Sequence, residues 1–257
     1  MRTSTDEMDT QSYWEARLRS RPDLRGTGHR QFSVDYNAAM YKVATDRLRE
    51  TLDGVRVSLD GARVLDVGAG LGYFVGQYLE WGAAHVTGID ITEISVRHLR
   101  QLFPQLEFIQ ADIASENLVL PPDYDLVSAI SVLFHILDNR KFERALGNIC
   151  ASVRPGGHLL VVDAFWKPLL PTAKHTRLRS LKHYLPTLGR HAFRVLAVRP
   201  MYYFMGRSVV PFIGPRLLSW RPVLEIWLKL EYSLGPRLRS NWGGPKFLIA
   251  QRYPVAR

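Results

Sequence analysis

Apolar positions change period several times along the chain, and each change marks an element. Short runs that are apolar almost throughout recur at 63–67, 84–89, 106–110, 124–130 and 158–163. Runs of this kind belong to strands buried on both faces, as in a parallel sheet. Between them the apolar period lengthens to three or four residues, which predicts helices over 73–81, 92–103 and 140–153. Thr92 is a candidate N-cap for the second of these and Pro104 its stop. Two helices, 11–19 and 35–52, precede the first strand, with a loop at 21–28 marked by Pro22, Gly26 and Gly28 between them. Beyond Asp163 the alternation ends. A helix over 176–185 is expected, with Thr176 as N-cap and Pro186 as stop, then strands at 193–199 and 246–251. About 45 residues separate those two strands, far more than a hairpin turn needs, so a lid or binding element is expected there. That insertion carries Tyr202, Tyr203, Phe204, Phe212, Trp220, Trp227, Tyr232 and Trp242, and an amphipathic helical pattern at 222–234.

The first strand runs into Gly68-Ala69-Gly70-Leu71-Gly72, glycine at every second position, and a helix follows. Strand, glycine turn and helix open a nucleotide-binding crossover unit. Glycine suits such a turn because it adopts positive φ and lets a ligand approach the backbone. The helix then offers unpaired N–H groups and a positive dipole end. Glycines alone would equally fit a plain strand-to-helix turn. The second strand strengthens the signal by ending at Asp90, 18 residues past Gly72, where a carboxylate can accept from ribose hydroxyls. The G-x-G-x-G spacing departs from G-x-G-x-x-G and so disfavours a nicotinamide dehydrogenase.

The stretches 64–74 and 88–91, Ala111-Asp112-Ile113, and Val153-Arg154-Pro155-Gly156-Gly157 follow in order across roughly residues 60–165. Together they resemble the successive motifs of class I S-adenosylmethionine-dependent methyltransferases, of the bacterial small-molecule type. The resemblance implies an α/β fold: a Rossmann-like, seven-stranded, mostly parallel sheet with helices on both faces and a final antiparallel pair at its edge. It implies an N-terminal helical cap at 1–60, a methyltransferase domain at 61–257, and a lid-like insertion at 200–245. S-adenosyl-L-methionine would be the cofactor and S-adenosyl-L-homocysteine the product. Asp66, Gly68, Ala69, Gly70, Gly72, Asp90, Ile91, Asp112, Ile113, Ser131 and Tyr41 would surround it, with Asp112 accepting from the adenine amino group and Ile91 and Ile113 sandwiching the ring. A cap on a following helix is an equal reading of Asp112. Trp14, Tyr36, Asn37 and Tyr41 are candidate contacts from the covering helices, or aromatic and polar groups packing those helices down.

Charge adds a second theme. The net charge of +10 is uneven: residues 1–166 hold 17 Lys and Arg against 22 acids, whereas 167–257 hold 17 against Glu225 and Glu231 alone. Such a surplus fits an anionic partner, whether a phosphorylated or carboxylated substrate, an acidic membrane surface or nucleic acid, and it also fits a solvated basic face. No stretch approaches about 18 consecutive apolar residues, so no membrane span is expected. The acid-rich start lacks the apolar core of a secretory signal, and the lone Cys150 excludes an internal disulfide; both point to a cytoplasmic protein. The aromatic stretch 202–227 is a candidate for interfacial, not spanning, membrane contact.

The cofactor implied by the resemblance carries an activated methyl, so the chain must chiefly position an acceptor. His135, just past the fourth strand, is the candidate general base; a His there could instead hold the turn. Asp138 and Asp163 are secondary candidates that also suit capping or strand-end solvation. His175 and His183 are expected to shape the substrate pocket. His183 and His191 stand eight apart without an acidic partner, so no metal site is expected. The leading reading is methyl transfer to oxygen or nitrogen of a small, specialised-metabolite or cell-envelope acceptor, anionic in one version. The alternatives are an RNA methyltransferase using the basic last third, and a non-catalytic cofactor-binding partner subunit. Oligomeric state is not legible.

Overall fold

The computed structural model describes residues 9–165, 173–205, 214–238 and 244–254. Phe212 and Trp242 of the aromatic insertion lie outside them. Seven strands, β1 (Arg63–Val67), β2 (His85–Asp90), β3 (Glu107–Gln110), β4 (Tyr124–Ile130), β5 (Val153–Asp163), β6 (Phe193–Pro200) and β7 (Lys246–Arg252), form one sheet. The order is β3-β2-β1-β4-β5-β7-β6. Strands β1 to β5 pair in parallel, and β7 runs antiparallel to both β5 and β6. This is the Rossmann-like, mostly parallel sheet that the apolar runs and the motif resemblance imply.

Side chains of successive residues leave opposite faces of a strand, and here both faces are apolar. Val64, Val86, Leu126, Leu160 and Ile249 join one core with the helices α3 (Val34–Gly54), α4 (Tyr73–Glu80) and α5 (Glu93–Leu102). Leu65, Val67, Val127, Leu159 and Leu248 join the other with α6 (Asn139–Ser152) and α7 (Leu185–Arg190). Each fully buried Val, Leu or Ile contributes about 1.5–3 kcal/mol, so the two cores fix the register of every central strand. Caps then set where the helices start. The Thr92 side chain accepts from Ser95 N to open α5, and the Asp138 side chain accepts from Lys141 N to open α6. Cys150 is buried in the second core, where desolvation pushes its thiol up to about 12.

Ahead of the sheet, α1 (Thr10–Ser20) and α3 flank a segment that is not all loop. Asp23 accepts from Arg25 N at 2.8 Å and caps a single turn, α2 (Leu24–Thr27). The expected helix over 176–185 is absent. Residues 176–179 have no regular structure, a 3₁₀ turn covers Leu181–His183, and Pro186 lies inside the first turn of α7 instead of stopping a helix. Proline suits that place because the first turn has no use for its missing N–H. Cys-free and rich in Arg, the 176–179 stretch is held by hydrogen bonds to a neighbouring loop, described below, and not by its own periodicity. Between β6 and β7 lie α8 (Pro215–Leu218) and α9 (Arg221–Ser233), the latter close to the expected 222–234.

Candidate active site

The strand order reverses between β1 and β4, and the carboxyl ends of β1, β2 and β4 frame a crevice there, the usual ligand position in such sheets. A cavity of about 1150 Å³ occupies it, larger than the roughly 300–1000 Å³ that one drug-sized ligand needs. Gly68 (φ +72°) and Gly70 (φ +54°) shape its floor. A Cβ at Gly68 would stand 2.4 Å from Val132 Cγ2, and one at Gly70 would stand 2.9 Å from Thr27 Cγ2. Gly72 (φ +82°) does not line the cavity. A Cβ there would meet Leu99 Cδ2 at 2.7 Å, so this glycine seats the start of α4 against α5.

Acidic groups stand at the strand ends. Asp90 accepts from Gly70 N at 2.9 Å through Oδ2, and from Thr92 N at 2.9 Å and Thr92 Oγ1 at 2.7 Å through Oδ1. It therefore braces the glycine loop as well as facing the cavity; burial raises its pKa against those hydrogen bonds. Asp66 is buried on β1 between Gly88 and Ser128 of the flanking strands. Burial pushes its carboxyl up to about 7, although Ser128 Oγ donates to it at 2.6 Å. It forms no ion pair among the described residues. Asp112 accepts from Ala114 N at 2.8 Å within a turn that no helix follows, so the helix-cap reading of it fails. It lines the cavity together with Ile91, Ile113, Ala69, Ser131 and Tyr41. Ser131 sits at φ +60° directly after β4. The Tyr41 hydroxyl donates to Thr27 Oγ1 at 2.8 Å and so holds Thr27 over Gly70.

The other end of the cavity is built around the 3₁₀ turn Leu133–His135. His135 Nδ1 lies 3.0 Å from the His175 carbonyl, which can only accept, so Nδ1 carries the proton and Nε2 is the basic nitrogen of the neutral ring. The ring meets Trp14 edge-on at 4.8 Å and stacks at 5.5 Å with His175, which stacks in turn on Tyr13 at 4.6 Å. Residues 173–180 are lashed to this loop. Arg177 N donates to Phe134 O at 2.7 Å, and Arg177 Nη1 to Leu137 O at 2.9 Å. The buried Arg179 donates to Ile136 O at 2.9 Å and lies 4.1 Å over the Phe142 ring.

Several expected residues belong elsewhere. Tyr36 is buried against Phe32, and Asn37 accepts from His29 N and donates to His29 O and Ser33 O, so both hold the cover together without lining the cavity. Asp163 lies outside the cavity, accepting from the Tyr184 hydroxyl and from Ala164 N; burial pushes its carboxyl up to about 6. Asp138 lines the cavity but is committed to its cap. His183 pairs with Ser180 away from the cavity.

The methyltransferase domain family matches residues 64–157. A probable S-adenosylmethionine-dependent methyltransferase of Mycobacterium tuberculosis is 35% identical over 101 residues, 39% of this chain and 34% of that protein. A ubiquinone biosynthesis O-methyltransferase of Yersinia pestis is 31% identical over 100 residues, 37% of this chain and 40% of that protein. These matches thus span well under half of the curated relatives' lengths. Magnesium protoporphyrin IX methyltransferase of Synechocystis PCC 6803, solved with bound SAH, shares the fold at a TM-score of 0.62 and 17% identity, over 96% of this chain and 100% of that one. Residues 64–157 thus carry a methyltransferase domain similar to those of S-adenosylmethionine-dependent methyltransferases, on the fold that those enzymes share.

The cavity also has walls that the motifs do not reach. Arg17, Thr27 and His29 come from the N-terminal segment, Lys141 from α6, and Met201, Tyr202, Met205 and Pro245 from the segment between β6 and β7. Arg17 lies 4.7 Å over Trp14, and its buried Nε has no partner among the described residues. Trp14 and Arg17, three apart on one helix face, were a legible pair. Among the described residues, Arg17 and Lys141 are the Lys and Arg side chains on the cavity wall.

Proposed function

We propose that this methyltransferase transfers a methyl group from S-adenosyl-L-methionine to an oxygen or nitrogen of a small-molecule acceptor held at the His135 end of the cavity. One observation carries the reading: a single cavity joins the glycine loop and strand-end acids to a histidine whose tautomer is set, with volume for two ligands. The residues fit the cofactor chemically. Gly68 and Gly70 leave backbone uncovered where a Cβ would clash, and Asp66 is a buried carboxyl without a counter-cation among the described residues. When bound, S-adenosyl-L-methionine would supply a methyl already activated on a sulfonium. Asp90 would accept from the ribose hydroxyls, Asp112 from the adenine amino group, and Asp66 from the cationic amino-acid end. Ile91 and Ile113 would enclose the ring, with Ala69, Ser131 and Tyr41 completing the wall.

His135 Nε2 would take the proton of the acceptor, and Trp14, Phe134 and His175 would orient it. Positioning of this kind is worth about 7–11 kcal/mol, and a general base adds about 10²–10⁴-fold. Arg17 and Lys141 favour an acceptor with a carboxylate or similar anionic group. The N-terminal helices act as a cap and 200–245 as a lid, which Met201, Tyr202 and Met205 on the cavity wall support. The protein works in the cytoplasm in this reading. The test is release of S-adenosyl-L-homocysteine with a panel of phenols, amines and aromatic or lipid-soluble carboxylates. Acceptor-dependent release that falls in His135→Ala supports the assignment. Undiminished release in that variant would remove His135 from the chemistry.

A further inference from the structure

Helix α9 has two apolar faces, and only one of them is needed for folding. Leu224 is buried, and Trp227 and Leu228 pack partly buried into the core shared with α3. Beside them the buried Glu231 carboxylate accepts from the backbone N–H groups of Tyr203, Phe204 and Met205. Val223 packs against the same core, whereas Ile226, Leu230 and Leu234 form a second stripe at four-residue spacing. Ile226 is 59% exposed and Leu234 43%; just outside the helix Leu217 is 49%, Trp220 60% and Leu238 41%. Tyr202, in the stretch where sequence reading places an interfacial contact, is buried, so the exposed surface lies further along.

The segment that carries this stripe is basic. Arg216, Arg221, Lys229 and Arg237 are exposed in the same segment, and its one exposed acid, Glu225, is paired with Arg221 at 3.2 Å. Aliphatic side chains in a row, with exposed cations and a tryptophan in the same segment, suit a surface that is apolar within and anionic outside. A two-fold contact between copies of this chain would bring the same positive charges together. Phosphates of a nucleic acid would leave the stripe in water. None of the described helices is long and apolar enough to cross a membrane, so the contact is interfacial. Ser33 N donates to Ser219 Oγ at 3.0 Å, which sets α8 beside the loop whose Gly28 and His29 line the cavity.

We propose that α8, α9 and the 3₁₀ turn Gly235–Arg237 dock the protein on an anionic lipid surface. The Ile226–Leu230–Leu234 stripe and Trp220 enter the acyl boundary, while Arg216, Lys229 and Arg237 meet the headgroups. Docking does not depend on the methyl-transfer reading. The test is co-sedimentation with vesicles of phosphatidylcholine alone and of phosphatidylcholine mixed with phosphatidylglycerol. The wild type is expected to pellet with the mixed vesicles and stay in solution with phosphatidylcholine alone. Trp220→Ser combined with Ile226→Asp, both exposed sites, should lower partitioning by about tenfold or more. Titration of the same samples with S-adenosyl-L-homocysteine should show equal affinity in variant and wild type, which separates lost docking from a lost fold or a wrong cofactor. Wild-type protein that ignores the mixed vesicles would overturn the proposal. So would a double variant that pellets as the wild type does, or light scattering that finds a dimer split by Ile226→Asp.

Discussion

Asp66 concentrates the electrostatics of the site in one side chain. Its carboxyl is raised from 3.8 to about 7 by burial, so between those values the unfolded chain has lost a proton that the folded protein keeps. Stability should therefore fall as pH climbs through that window and level off above it, and Asp66→Asn should flatten the slope in urea unfolding. A cationic ligand end prefers the carboxylate, so affinity for S-adenosyl-L-homocysteine should rise as pH passes about 7. In Asp66→Asn it should be weaker and without that step; an unchanged pH profile would dissociate Asp66 from the ligand. At Gly68, alanine brings a Cβ to 2.4 Å from Val132 at φ +72°. That strain is about 1–3 kcal/mol, enough to cut cofactor affinity on the order of tenfold or more. Gly76→Ala is the control, since its Cβ meets nothing closer than Phe103 Cζ at 3.9 Å; it should leave binding intact. His135→Ala should slow turnover by about 10²–10⁴-fold while leaving calorimetric cofactor affinity unchanged.

Among the elements, those that obey a period were legible. The apolar runs of β1 to β5, the three- to four-residue stripes of α3 to α6 and the Thr92 cap stand close to where the pattern places them, because two cores select those side chains. The exception is β5, which starts at Val153 and takes in the Arg154–Gly157 stretch expected as a turn. The glycine loop was legible for a different reason: positive φ leaves few other residues possible. The 173–180 segment was not. Its conformation rests on Arg177 and Arg179 finding carbonyls at 134–138, about 40 residues away, and no local pattern encodes that. Glu231 was equally hidden, since a lone acid in a basic stretch reads as solvated, yet it is buried under three backbone donors. Its removal gives a direct check. Glu231→Ala should cost about 2–4 kcal/mol in denaturant unfolding by leaving buried donors unpaired. Hydrogen exchange at 203–205 should also accelerate. Exchange and stability like the wild type's would mean that water replaces the carboxylate.

At the scale of the whole molecule, pieces from distant parts of the chain converge on one cavity: α1, the α2–α3 loop, the carboxyl ends of the strands, 173–178 and the start of the segment after β6. Of the basic surplus of 167–257, the described Lys and Arg residues do not line the cavity, and Arg177 and Arg179 are spent on carbonyls. Among the described residues of that third, charge serves structure and surface, and fold alone would not identify the ligand. The most direct test is calorimetric titration of the purified protein with S-adenosyl-L-homocysteine, with NAD as the comparison. One S-adenosyl-L-homocysteine per chain at micromolar affinity, retained in His135→Ala, weakened in Gly68→Ala and without NAD binding, is the expected result. A folded protein that binds NAD, or that binds neither ligand, would contradict it.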